Sequence, residues 1–169
     1  VIDVQCWARD PADFGKKHLR HKLSIEQKES NKWLKSFHVA TEVQRRCAET
    51  TVVSVGDREA DVYELFHLAL REAENQKLLV RAEHNRLLAD GQGQLYEYLQ
   101  TKEVAGVQTV RVPRKQGQPA REAKLEIRCA EVTLRPPQGK EQLGELTIGA
   151  VLARETEVPD GVETLEWML

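Results

Sequence analysis

A short β-branched run, a helical pattern and a second apolar run constrain the fold more than any other feature of the sequence. Residues 51–55, Thr-Val-Val-Ser-Val, predict a short buried strand. Over residues 62–73 apolar side chains recur at i, i+3 and i+4, which predicts a helix with one buried face. Residues 77–81, Lys-Leu-Leu-Val-Arg, predict another strand. This order and these lengths indicate an α/β fold with two parallel strands.

The residues before this unit predict one more strand and one more helix. Residues 1–8 alternate apolar and polar side chains, as a strand does. Ser24 and Gln27 have capping-box spacing, and an apolar stripe follows them at helical steps: Trp33, Phe37, Ala40, Val43 and Cys47. We therefore expect a helix from Ser24 to about Glu49.

Near residue 90 the pattern changes from helical periodicity to alternation. Residues 94–100 predict a short helix, and from residue 109 several runs alternate between apolar and polar side chains, among them two separate runs at 123–129 and 131–135. Prolines and glycines separate these runs, as is typical of turns between antiparallel strands. We predict four or five antiparallel strands, and hence two parts: an α/β core over 1–88 and a β-rich subdomain over 89–169.

Composition and charge exclude several classes of protein. The chain has 169 residues and a net charge of −2, so binding to nucleic acid would depend on local basic patches. No apolar run reaches the roughly 18 residues of a membrane span. The three cysteines are widely spaced and form no CxxC pair. We expect a reduced, cytoplasmic protein without a membrane partner or a structural zinc ion.

Asp57 directly follows the strand at 51–55 and is a candidate site residue. Ligands of open α/β sheets bind at the carboxyl ends of parallel strands, where a carboxylate can hold a hard cation such as Mg²⁺. The pattern leaves a second interpretation open, in which Asp57 only caps the following helix and Glu59 and Asp61 favour its positive end.

Basic side chains provide further candidates. Arg81, His84 and Arg86 follow the strand at 77–81, so parallel pairing would bring them to the same sheet edge as Asp57. Two basic stretches, residues 16–22 and 109–128, could meet phosphates or form ordinary polar surface. His18 and His21 stand in HxxH spacing, but their basic loop favours a solvated surface over a metal site.

Several motifs together resemble the bacterial cut-and-paste transposases of the IS-four group, Tn-five-like enzymes with an Asp-Asp-Glu active site. The stretch VGDREADVYELF at 55–66 resembles the DREAD segment of that family. Other stretches follow the family's order: Cys6–Pro11, IEQKESNKWL at 25–34, LLVRAEHNR at 78–86 and LEWML at 165–169. The resemblance covers most of the chain, including the β-rich part.

The resemblance implies a partial RNase H-like core, as in retroviral integrases, interrupted by a β-rich insertion. It implies that Asp57 is the second carboxylate of a triad that binds Mg²⁺ or Mn²⁺ and catalyses two-metal phosphoryl transfer on DNA. The implied partners are double-stranded DNA, as transposon ends and target, and a second copy in a homodimeric synaptic complex. The implied DNA-binding residues are Arg58, Arg81, His84, Arg86, Arg114, Lys115 and Trp167.

From the pattern alone, a tryptophan in a strand such as Trp167 is more often a core residue. The resemblance implies another role, because members of the family use a tryptophan at the matching position to stack on a base that is flipped out during hairpin formation. Two carboxylates of the family's triad have no match in the sequence. We therefore expect an internal fragment of a longer transposase that is inactive by itself, because one carboxylate cannot hold two cations about 3.5–4 Å apart. The alternative is a non-catalytic α/β nucleic-acid-binding module, or a domesticated relative, that keeps Asp57 by descent.

Overall fold

The computed structural model describes residues 4, 6, 8, 23–72, 75–114 and 119–169. They form a mixed α/β protein that divides into two units, Val1–Val80 and Arg81–Leu169. Among the described residues, the first unit contains a two-stranded parallel sheet and the second a four-stranded antiparallel sheet. Most of the strand predicted at 1–8, and the basic stretch at 16–22, lie outside the described residues.

Helix α1 (Asn31–Arg46) begins later than the sequence predicted. The backbone N–H of Ser24 does donate to Oε1 of Gln27, at 3.2 Å, but this contact closes only a 3-10 turn. Lys28 is then extended, so the turn does not continue into α1 and the predicted start at Ser24 was wrong. Cys47 is the exposed C-cap residue of α1 and does not belong to its buried face.

Strand β1 (Val53–Gly56), helix α2 (Tyr63–Glu72) and strand β2 (Lys77–Val80) confirm the predicted strand–helix–strand unit. The strands pair in parallel, with Val53 opposite Lys77 and Gly56 opposite Val80. A parallel pair needs a crossover connection, and α2 supplies it.

One face of the β1–β2 sheet packs against helices and the other is exposed. The packed face contributes to a core of Phe37, Ala60, Leu65 and Val80. On the other face Val53 is 50% exposed, Val55 70% and Leu79 43%. The prediction that β1 is buried was wrong, because β-branched residues favour a strand without specifying that both of its faces are covered.

Buried polar side chains connect α1 to this sheet. Gln76, which is 3% exposed, donates to Oγ of Ser54 at 3.1 Å and accepts from Oγ1 of Thr41 at 2.6 Å. Oε1 of Gln44 accepts from the backbone N–H of Val52 at 2.7 Å. Because buried polar groups are costly unless they are paired, these bonds fix the entry of the chain into β1.

In the second unit, helix α3 is followed by an antiparallel sheet in the order β3-β4-β5-β6, which confirms the predicted antiparallel β-rich part. Its elements are α3 (Leu95–Gln100), β3 (Gly106–Val112), β4 (Arg121–Leu134), β5 (Leu146–Glu155) and β6 (Glu166–Met168). The sequence predicted two strands where β4 is a single strand of 14 residues. The reason is a change of phase: Ala123 and Leu125 are buried on one face of β4, whereas Val132 and Leu134 are buried on the other.

Helix α3 is capped by a residue that lies outside it in sequence. Oδ1 of Asn85 accepts from the backbone N–H of Tyr96 at 2.8 Å, and Nδ2 of Asn85 donates to Glu97 at 2.9 Å. Gln94, at the N-cap position, makes no side-chain capping bond. Since a six-residue helix is too short to be stable alone, Asn85 and the sheet below hold α3 in place.

Candidate functional site

Asp57 directly follows β1, and its side chain is exposed. Its Oδ1 accepts a hydrogen bond from the backbone N–H of Glu59 at 3.1 Å and so caps the 3-10 turn Arg58–Ala60. The capping interpretation therefore holds for this turn and not for α2, which begins only at Tyr63. This cap engages one of the two carboxylate oxygens, so capping is compatible with a second role at the sheet edge.

The DREAD segment, Asp57–Asp61, divides into an exposed half and a buried half. Asp57, Arg58 and Glu59 are exposed, whereas Ala60 is 0% and Asp61 6% exposed. Packing explains why small residues stand at positions 56 and 60: a Cβ on Gly56 would lie 2.4 Å from the Cβ of Ala60. Gly56 thus lets the turn fold closely over the end of β1, and this packing presents the three exposed residues to solvent.

A lysine of α1 pairs with the carboxylate next to Asp57. Nζ of Lys32 lies 2.8 Å from Oε2 of Glu59, and it also lies 5.5 Å from the ring centroid of Trp33. The Lys32 side chain is only 17% exposed, so its charge is held close to the turn. Glu59 is therefore an ion-pair partner of α1, which distinguishes it from the neighbouring Asp57. The sequence did not indicate Lys32, because its position depends on how α1 packs.

The described residues do not complete a magnesium site. Within the described ranges, no group of three or more His, Cys, Asp or Glu side chains could hold a metal ion. Asp57 supplies a single carboxylate, whereas hard divalent cations take several oxygen ligands and a two-metal site takes more. The observed geometry thus offers one ligand at the expected place and no complete site.

The segment 81–86 belongs to the second unit and runs beside β6. His84 is exposed, and Arg81 and Arg86 are partly buried. The backbone N–H of Ala82 donates to the carbonyl of Met168 at 2.7 Å. Two of the predicted DNA-binding regions, this segment and the strand that carries Trp167, are therefore neighbours within the second unit. The prediction for Arg81, His84 and Arg86 assumed that the strands before Asp57 and before Arg81 are parallel. This parallel pairing of β1 and β2 is confirmed in the first unit.

Trp167 lies in β6 opposite Ala153 of β5 and is partly buried. Its neighbour Glu166 accepts a hydrogen bond from the hydroxyl of Tyr96 in α3. Nε of Arg154 lies 3.4 Å from the same Oε2 of Glu166. Partial burial and the bond to Glu166 raise the pKa of Tyr96 above its ordinary value, so this phenol is a protonated donor at neutral pH.

Much of the basic segment at 109–128 is engaged in ion pairs. Arg114 is exposed, and Lys115 lies outside the described residues. Among the described residues of the segment, three basic side chains have acidic partners: Arg121 with Glu155, Lys124 with Glu157 at 3.3 Å and Arg128 with Glu126 at 2.6 Å. The segment is therefore a mixed surface and not a continuous cationic one.

The Arg121–Glu155 pair is the most buried of these contacts. Glu155 is 4% exposed and accepts from the Arg121 guanidinium through both carboxylate oxygens, with Nη2 to Oε2 at 2.9 Å. Oε2 of Glu155 also accepts from the backbone N–H of Leu165 at 3.0 Å. The Arg121 hydrogen bonds hold the pKa of Glu155 below its ordinary value. The pair thus joins β4, β5 and the chain leading to β6.

No family model matches the chain. Among the described residues, no helix is long and apolar enough to cross a membrane. The case for a function therefore depends on the residues of the site and on the sequence motifs that led to them. The structure adds Lys32, Asn85 and Tyr96 to the predicted residues; each acts through contacts between elements that no local pattern signals.

Proposed function

We propose that this chain is the central part of a DNA transposase that cleaves and joins DNA by two-metal phosphoryl transfer. The first unit would be part of an RNase H-like core, and the second unit would be its β-rich insertion. One observation carries the proposal: the DREAD turn presents an exposed Asp57 at the carboxyl end of a parallel strand. The resemblance of several motifs to the IS-four group supports it.

In this proposal Asp57 binds Mg²⁺ or Mn²⁺ as one carboxylate of a triad. The bound ions would supply Lewis-acid chemistry at the phosphate. Two further carboxylates are required, and the described residues do not supply them. What the chain itself contributes is the position of Asp57, which β1, the 3-10 turn and the close packing of Gly56 on Ala60 hold in place.

The proposed partners are double-stranded DNA and a second copy of the protein in a homodimeric complex. Arg58 is exposed beside Asp57, where a cation suits a phosphate backbone. In the second unit, the segment 81–86 lies next to β6, the strand that carries Trp167. Arg114 and Lys115 remain proposed DNA contacts of the β-rich subdomain.

The test is Asp57→Asn in the transposase polypeptide that contains this chain. Asparagine keeps an Oδ1 that can accept from the Glu59 N–H, so the cap is preserved and only the charge is lost. We expect cleavage to fall by about a thousandfold or more, since charge stabilisation by a metal site is worth several kcal/mol. Binding to DNA, measured by gel shift, should be nearly unchanged.

The matched control is Glu59→Gln, which removes an exposed carboxylate two residues away and breaks the contact with Lys32. It should lower cleavage only slightly. If Asp57→Asn cleaves DNA as well as the unchanged protein, Asp57 is only a cap and the proposal is wrong. DNA binding without any metal-dependent cleavage by the unchanged polypeptide would instead favour the non-catalytic nucleic-acid-binding module.

A further inference from the structure

The geometry of β6 points to Tyr96 as a positioning residue for Trp167. Tyr96 acts through Glu166, and this inference rests on the proposed function. Trp167 must present its ring in one orientation if it stacks on an unpaired base. The backbone of β6, Glu166–Met168, pairs with β5 through three residue pairs, and further backbone hydrogen bonds flank it on both sides. These bonds fix the backbone of the strand but not the side-chain torsions of Trp167, which depend on neighbouring side chains.

A polar anchor supplements this short pairing. The Tyr96 hydroxyl donates to the carboxylate of Glu166, and the guanidinium of Arg154 lies 3.4 Å from the same oxygen. Glu166 is 33% exposed, so water only partly competes for its carboxylate. Hydrogen bonds to an ionised acceptor are stronger than those between neutral groups. The carboxylate is therefore held between a helix and the neighbouring strand.

The anchor and Trp167 lie on opposite faces of β6. Successive residues of a strand point to opposite faces, so Glu166 lies on the face covered by α3 and Trp167 on the other face. Trp167 is opposite Ala153, and Ala153 is opposite Ile127 of β4. A small side chain opposite the indole leaves the ring partly exposed, as stacking on a base requires.

Tyr96 is itself positioned by the segment that carries the basic candidates. Asn85 caps α3 at the Tyr96 backbone N–H, and Ala82 of the same segment bonds to Met168 of β6. The segment 81–86, α3 and β6 thus form a closed set of contacts. Tyr96 contacts both sides of this set: its backbone N–H bonds to Asn85 and its hydroxyl bonds to Glu166, the neighbour of Trp167. It thereby connects β6 to the segment that carries Arg81, His84 and Arg86.

The first experiment measures two steps of the reaction in the polypeptide that contains this chain. Tyr96→Phe removes the hydroxyl and keeps the ring. We expect hairpin formation to fall about tenfold while first-strand nicking is unchanged, because the lost bond goes to a charged acceptor. Tyr98→Phe is the matched control, since Tyr98 lies in the same helix but contacts Lys102; it should change neither step. Trp167→Ala should show the same selective defect as Tyr96→Phe.

The second experiment detects the ring position without any activity. The chain is labelled with 5-fluorotryptophan, and the ¹⁹F resonance of Trp167 is assigned with Trp167→Phe. Tyr96→Phe should shift or broaden this resonance, whereas Tyr98→Phe should leave it in place. Thermal unfolding of each variant shows whether the fold is retained. Glu166→Gln provides a second perturbation, because it keeps an acceptor for Tyr96 but loses the charge facing Arg154.

The outcomes test the positioning role of Tyr96 separately from the stacking function proposed for Trp167. An unchanged Trp167 resonance in both Tyr96→Phe and Glu166→Gln would overturn the positioning role. Equal losses of nicking and hairpin formation, together with a lower unfolding temperature, would also overturn it and make Tyr96 a general stabilising residue. A shifted resonance combined with normal hairpin formation in both Tyr96→Phe and Trp167→Ala would support the positioning of the ring and refute the stacking function proposed for it.

Discussion

Replacing Gly56 by alanine tests the link between packing and the position of Asp57. The new Cβ would lie 2.4 Å from the Cβ of Ala60, and ordinary contact begins at 3.4 Å, so the two carbons must separate by about 1 Å. Ala60 is 0% exposed, and its Cβ is attached directly to the backbone of the turn. No side-chain rotation can relieve the contact. The strand end and the turn must therefore move apart, and Asp57 lies between them.

The expected cost follows from two opposing effects. Overpacking a buried site costs about 1–3 kcal/mol, and the rigid neighbour places Gly56→Ala in the upper part of this range. Against this, alanine is intrinsically better than glycine in a strand by about 0.5–1 kcal/mol. We expect a net loss of about 2 kcal/mol in the free energy of unfolding. For a unit of this size, that corresponds to a decrease of about 10 °C in Tm.

Thermal unfolding followed by circular dichroism measures the effect, and a double substitution identifies its cause. Ala60→Gly removes the carbon that the new Cβ meets. The free energy of unfolding of the double variant, Gly56→Ala with Ala60→Gly, should therefore exceed the value expected from adding the two single effects by about 1 kcal/mol or more. Gly149→Ala is the matched control, because a Cβ at that position in β5 meets no atom within 4 Å. It should raise Tm by roughly 4 °C, because only the intrinsic gain of alanine over glycine in a strand remains.

Two results would refute this reasoning. If Gly56→Ala is as stable as the unchanged protein, the turn does not pack on β1 as closely as described. If the double variant shows only the sum of the two single effects, the loss arises elsewhere than at the contact between these two carbons. Cleavage by the full polypeptide offers a further check, since displacement of a catalytic group by about 1 Å lowers the rate strongly.

Two further predictions concern charge. The lowered pKa of Glu155 contributes stability that is present above its unfolded value of 4.5 and is lost as pH falls through the lower folded pKa. Glu155→Gln should therefore weaken the loss of stability on acidification, measured by urea unfolding from about pH 7 to pH 3; an unchanged pH dependence would contradict this. DNA binding by the chain should be weak and should weaken further as the salt concentration rises. Arg114→Gln should lower the slope of log Kd against log salt by about 1, as measured by titrations at several salt concentrations. Binding that does not change with salt would exclude phosphate contacts.

Local patterns in the sequence were sufficient for several elements. The apolar repeat of α2, the two apolar runs of β1 and β2, and the alternation in the β-rich part each act over a few neighbouring residues, so each is readable without the fold. The end of β1 at Gly56, directly before Asp57, was predicted within one residue. The parallel pairing of β1 and β2 followed as well, because a helix of this length between two strands favours a crossover.

The same local reasoning failed where burial depends on what packs against an element. Val55 has the side chain of a buried strand, yet it is 70% exposed. Thr41 and Gln44 are polar, yet both are buried, because Gln76 and the backbone near β1 satisfy them. The phase change within β4 resembled a break between strands, because different neighbours cover its two faces.

For the candidate site, the sequence by itself determined which residue stands at the strand end, and the tertiary structure decided what surrounds it. Asp57 follows from the boundary between an apolar run and a charged turn. The Lys32–Glu59 pair, the cap of α3 by Asn85 and the anchor of β6 by Tyr96 join residues 27, 11 and 70 positions apart. Such contacts depend on the packing of whole elements, and no periodicity within one element encodes them.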